Sequence, residues 1–152
     1  MDSPPATPPA QAVPGQRRRP RTAAASPRQA AHTTGPALEA CYQFLLWLVP
    51  TLEKFPRSQK FLLGDRLQTQ ALAVLDHLIA ATYLPRERAR HLQAANLALE
   101  HMRFGLRLAK DLKHLDFARY EHAARSLDEV GRLVGGWLKA AHNHAPPAPP
   151  PV

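Results

Sequence analysis

Arg103, Arg107, Lys110 and Lys113 step by four, three and three residues along one segment of the chain. At about 100° per residue they share one face of an α-helix, about 40–60° from an apolar seam on the same segment. Phosphate binding needs cations that are spaced and held, not merely numerous. The stripe is therefore a candidate nucleic-acid contact, and Arg66, from the charged pair Asp65-Arg66, joins it. The alternative is a solvated helix face on which Asp111 and Asp116 offset Lys110 or Lys113.

Other chemistry is sparse. The chain has no Gly-rich phosphate loop and no Walker lysine. Cys41 falls on an apolar helical face and reads as a core thiol, not a nucleophile. A single cysteine makes no internal disulfide, which favours a reducing, cytoplasmic setting. His142 and His144 form an isolated His-x-His at a helix end, a weak metal signal. Helical bundles hold di-iron centres on inward Glu and Glu-x-x-His groups. No Glu-x-x-His occurs here. The expectation is a protein without catalytic, cofactor or metal residues.

The elements that position the basic stripe follow from apolar spacing. Helix one is expected from about Pro36 to Lys54, with Leu38, Cys41, Leu45 and Leu48 on one face and Pro50 kinking or fraying its end. Tyr42, Phe44, Leu46, Trp47 and Val49 make it apolar nearly all round, so a second side wants another subunit or a partner. Tyr42, Phe44 and Trp47, with Phe55 at the following corner, are its candidate interface residues. Phe55 to Arg66 is that corner and the start of helix two, because Pro56 suits a first helical turn and pushes Phe55 out of helical φ/ψ. Gly64 inside this start costs about 1 kcal/mol against alanine. Either it makes room for a neighbouring helix, or Asp65 and Arg66 mark an oligomer or partner surface.

Helix two is expected to run to Tyr83 on Leu63, Leu67, Ala71, Val74, Leu78 and Ala81, with Leu62, Leu75 and Ile79 widening the stripe. Helix three runs from Pro85 or Arg86 to about His114 on Leu92, Ala95, Leu99, Met102, Leu106 and Ala109. Helix four, capped by Asp116, runs to about Lys139 on Tyr120, Ala123, Leu127, Val130, Val134 and Trp137. Short connections make neighbours antiparallel, so the fold expected is all-α, an antiparallel up-down-up-down four-helix bundle. Gly135 and Gly136, beside Trp137, are expected to admit an aromatic ring of helix one, such as Tyr42 or Trp47, from the same or an adjacent subunit; the alternative is that helix four ends near Gly135 and Trp137 only caps the core. Gly135, Gly136 and Trp137 complete the candidate interface.

Of 16 prolines, eight lie in residues 1–36 and five in the last seven. Residues 1–36 and 142–152 are thus expected to be disordered tails around a bundle at 37–141. The net charge is +8, with fifteen Lys/Arg against eleven Asp/Glu in the middle of the chain. That balance fits a polyanionic partner and also serves solubility. No stretch approaches the ~20 apolar residues of a membrane span, and the N-terminus has no apolar signal core.

Several separated motifs resemble the accessory variability determinant (Avd) proteins of diversity-generating retroelements. They are Phe55-Pro56-Arg57 with Lys60-Phe61-Leu62-Leu63-Gly64-Asp65-Arg66, and Leu99-Glu100-x-Met102-Arg103-Phe104 with Arg107-Leu108-x-Lys110-Asp111. Asp116-x-x-Arg119-Tyr120-Glu121 and Gly135-Gly136-Trp137-Leu138-Lys139 complete the set. The resemblance implies a four-helix bundle assembled as a barrel-shaped homopentamer. It implies a non-catalytic partner of a reverse transcriptase and its template RNA or cDNA in mutagenic retrohoming. The alternative is a stand-alone adaptor or scaffold bundle that docks a protein through helix one and binds no nucleic acid.

Overall fold

The computed structural model describes residues 3–6, 9–10 and 35–144. The expected tails lie mostly outside them. The chain divides into two units, Met1–Thr33 and Thr34–Val152. The described residues of the first have no regular secondary structure. The second holds four long helices: α1 (Pro36–Leu52), α2 (Asp65–Tyr83), α3 (Arg88–Asp111) and α4 (Phe117–Asn143). They form an antiparallel up-down-up-down bundle, in which α1 packs on α2 and α4, and α3 packs on α2 and α4. Faces α1/α4 and α2/α3 therefore lie on opposite sides. Among the described residues no helix is long and apolar enough to cross a membrane.

The seams read from the sequence are the buried sides. Leu67, Ala71, Val74, Leu78 and Ala81 of α2 meet Leu92, Ala95, Leu99, Met102, Leu106 and Ala109 of α3 and Ala123, Leu127, Val130 and Val134 of α4 in one core. Cys41, Leu45 and Leu48 of α1 close it. Burial pushes the Cys41 thiol up to about 12. Leu62 and Ile79, expected to widen the α2 stripe, are exposed instead.

Each helix end has a local cause. Pro36 occupies the first turn of α1, where its missing N–H costs nothing. Pro50 removes a hydrogen bond near the other end, and α1 stops at Leu52, two residues short of the expected Lys54. Buried Thr51 donates its hydroxyl to the Trp47 carbonyl at 2.7 Å, so it brings no unsatisfied polar group into the core. Asp116 caps α4 by accepting from the Arg119 N–H at 2.8 Å. Arg88, at the start of α3, donates Nε–H to the Ala81 carbonyl at 2.8 Å and so caps the end of α2, with its guanidinium over the Trp137 ring. α4 runs four residues beyond the expected Lys139, so His142 sits on its last turn and His144 follows directly.

The corner between α1 and α2 is a helical turn at Arg57–Gln59 followed by a π-helical turn at Lys60–Gly64. A Lys60–Glu53 ion pair spans it. Gly64 is buried, yet a Cβ there would make only ordinary contact with the Gln59 carbonyl and Phe55. Close approach of a neighbouring helix is not its role. Wide π turns occur mostly as single turns, often at functional sites.

The corner between α3 and α4 also departs from expectation. α3 ends at Asp111, and Lys113 adopts a left-handed φ of 63°. The His114 N–H bonds the Ala109 carbonyl at 2.9 Å and the Lys113 N–H bonds the Lys110 carbonyl at 2.9 Å. This pair of bonds is the Schellman closure, which ordinarily places glycine where Lys113 stands.

Candidate functional site

The structure divides the basic stripe. Arg103 is committed to the bundle. Its guanidinium pairs with Glu100 on its own helix, crosses to Asp128 of α4 at 3.3 Å and donates to the Leu127 carbonyl at 3.5 Å. It fits against Gly131, where a Cβ would come within 2.9 Å of Nη2. Lys110 lies 4.6 Å from the centre of the Tyr120 ring and 3.5 Å from Asp111. Arg107 is exposed and only loosely met by Asp111, at 3.9 Å. Lys113 has left the helix face altogether and is exposed in the turn. The exposed cations of the stripe are thus Arg107 and Lys113, at its C-terminal end, with Lys110 between them in sequence.

Arg66 is exposed and has no partner among the described residues. It lines an apolar groove of about 410 Å³ between α2 and α3, beside Leu63, Phe104 and Leu108. Gly105 shapes that groove. A Cβ there would reach 2.7 Å from the Leu67 side chain, so the missing methyl lets α3 settle on α2.

The expected interface residues are also divided. Phe44 and Phe55 are 4% and 5% exposed, packed in the subunit's own core. In the single subunit they hold the bundle together and present little surface. The cause is that α1 already lies between two helices, and Phe55 plugs the bundle end against the His114 ring. Tyr42 is half exposed, and the Trp47 ring meets that of His122 of α4 at a tilt of 47°, with ring centres 4.6 Å apart. Both lie on α1, and Trp47 lines a groove between α1 and α4. Gly135 and Gly136 lie inside α4, which does not end there, and a Cβ on either would meet nothing within 4 Å. No ring of the same subunit approaches them. Gly136 and Trp137 instead line a second apolar groove, with Pro36 and Leu133.

One polar cluster escaped sequence reasoning. His77 of α2 and His91 of α3 place their Nδ1 atoms 3.2 Å apart, so one ring donates and the other accepts. His91 Nε2 is buried 3.4 Å from Glu87, without the alignment of a hydrogen bond. A separation of fourteen residues across two helices leaves no local motif to find. Among the described residues no group of three or more His, Cys, Asp or Glu side chains is arranged to hold a metal ion.

Comparison with known proteins agrees with the motifs. No curated protein matches the chain. The model of the bAvd-like family matches residues 37–141, which span α1 to nearly the end of α4 and include every candidate residue above. The four-helix chain with its cationic α3 end belongs to the bAvd-like family.

Proposed function

We propose that the protein is a non-catalytic accessory factor of a diversity-generating retroelement, which binds the reverse transcriptase and template RNA or cDNA as a homo-oligomeric bundle. Membership of the bAvd-like family over residues 37–141 is the observation that carries this reading. The cationic end of α3 supports it. Arg107, Lys110 and Lys113 are the phosphate contacts in this reading. Arg103 contributes charge from a fixed position. Arg66, set among apolar side chains, suits a carboxylate on an amphipathic partner better than a phosphate.

The α1/α4 face is the subunit interface in this account, through Tyr42 and Trp47, with Gly136 and Trp137 at its margin. A pentamer is the expected assembly. The competing adaptor reading keeps the interface and drops the RNA.

Fluorescence anisotropy with a structured RNA separates the two. Affinity falls steeply between about 50 and 200 mM salt if phosphates are neutralised. Arg107→Ala with Lys113→Ala then makes log K less steep in log salt, by about one for each lost contact. Salt-insensitive binding, or none at low salt, supports the adaptor instead.

A further inference from the structure

The α2/α3 side carries more exposed apolar surface than a finished bundle face needs. Leu97, Phe104 and Leu108 recur at intervals of seven and four and give α3 a second apolar stripe on its solvent side. Phe104 is 67% exposed. The stripe borders the groove floored by Leu67 and opened by Gly105. At one end the π turn holds Phe61 and Leu62 out, 64% and 66% exposed. Contiguous exposed apolar surface of this kind marks an interaction site.

Among the described residues, the one formally charged side chain lining the groove is the cation Arg66. The polar lining is Arg66, Gln70 and His101, with no carboxylate. From these observations we infer that the α2/α3 groove docks an amphipathic helix with acidic flanks, contributed by a protein partner. Leu97 and Leu108 lie eleven positions apart, about 16 Å along the helix, which matches about three turns of a docked helix. Apolar side chains at i, i+3, i+4 and i+7 of the partner fill the groove beside Phe104 and Leu108. A flanking glutamate meets the Arg66 guanidinium.

A second copy of this chain does not supply that helix. Among the described residues every carboxylate except Asp65 and Asp76 already faces a basic or amide side chain of its own subunit. Asp65 and Asp76 both belong to α2, which forms one wall of the groove itself.

The test uses the full chain and two synthetic helical peptides of about fourteen residues, one with a leucine stripe and glutamate flanks, the other with lysine flanks. The glutamate peptide is expected to bind, and the lysine peptide at least tenfold more weakly. Phe104→Ser and Arg66→Glu each weaken the glutamate peptide tenfold or more, with far-UV circular dichroism and melting unchanged. Both positions are exposed, so folding does not depend on them. Arg66→Glu is also expected to reverse the preference in favour of the lysine peptide. Equal binding of both peptides, or of neither, overturns the proposal. So does loss of the homo-oligomer in Phe104→Ser, which assigns the groove to a second copy. So does competition by RNA that Arg66→Glu abolishes, which assigns it to nucleic acid. Arg107→Ala leaves the peptide result untouched, so this inference and the RNA reading fail separately.

Discussion

Replacing Lys113 by glycine should raise stability and weaken RNA binding at once. Lys113 is the left-handed residue of the turn that closes α3, at φ 63°. A side chain in that conformation costs roughly 1–2 kcal/mol. Glycine removes the cost but loses roughly 0.5–1 kcal/mol more conformational entropy on folding. The net gain is about 0.5–1 kcal/mol, or roughly 2–4 °C in Tm for a domain of this size. The same change deletes one of the exposed cations at the end of α3 and should flatten the salt dependence of RNA binding by about one. Lys113→Ala is the control. It removes the charge and keeps the left-handed φ, so binding falls as in the glycine variant while Tm does not rise. Thermal melting and salt-titrated anisotropy on the three proteins give the result. A fall in Tm for Lys113→Gly would show that the lysine side chain supports the turn. Unchanged RNA affinity in both variants would remove Lys113 from the interface.

Gly135→Ala and Gly136→Ala should each stabilise the isolated subunit by about 1 kcal/mol, because the helix gains a better former and the methyl meets open space. Weaker self-association of the same variants in sedimentation velocity would place a neighbouring subunit on them, and a lower Tm of the monomer would contradict the open space. Arg88→Ala should cost about 1–2 kcal/mol in chemical denaturation, from the lost bond to the Ala81 carbonyl and the lost stacking on Trp137. Arg88→Lys, lacking the planar fork, should restore less than half of it. Burial raises the Cys41 thiol from its ordinary 9.0 to about 12, so the folded state keeps a proton that the unfolded state releases. Its contribution is full below pH 9 and is lost as pH rises from there toward 12. A Cys41→Ala variant should show a shallower alkaline loss, and native Cys41 should resist thiol reagents until the protein unfolds.

The helices were legible because apolar spacing of three and four survives wherever one face is buried. The α3 seam coincides with the core residue by residue, the α4 seam does so from Ala123 to Val134 with Tyr120 and Trp137 only partly buried at its ends, and the Asp116 cap was readable from its place before the apolar run. The features that shape the sites were less legible. Arg103 shares its spacing with Arg107, yet only Arg103 faces Asp128, twenty-five residues away on α4. Spacing along one helix does not report such a partner. Lys113 continues the stripe arithmetically, but the chain turns before reaching it, and a lysine in a glycine position gives no turn signal. Phe44 counts as apolar surface on a helical wheel and Phe55 as an exposed corner ring, and only the packing of α1 between α2 and α4, and of Phe55 against His114, shows them enclosed. The groove at Gly105 exists through a missing methyl opposite Leu67, a relation between helices with no mark in either one alone.

The central claim, an accessory role to a reverse transcriptase, is tested most directly by co-elution. The full chain and the reverse transcriptase of a diversity-generating retroelement from the same source genome are purified separately, mixed, and run by size-exclusion chromatography with light scattering. The runs are made with and without template RNA. The account predicts a complex of defined mass that contains several copies of the bundle per polymerase and becomes tighter when RNA is present. Separate elution of bundle and polymerase under both conditions, at micromolar concentrations and low salt, would contradict it.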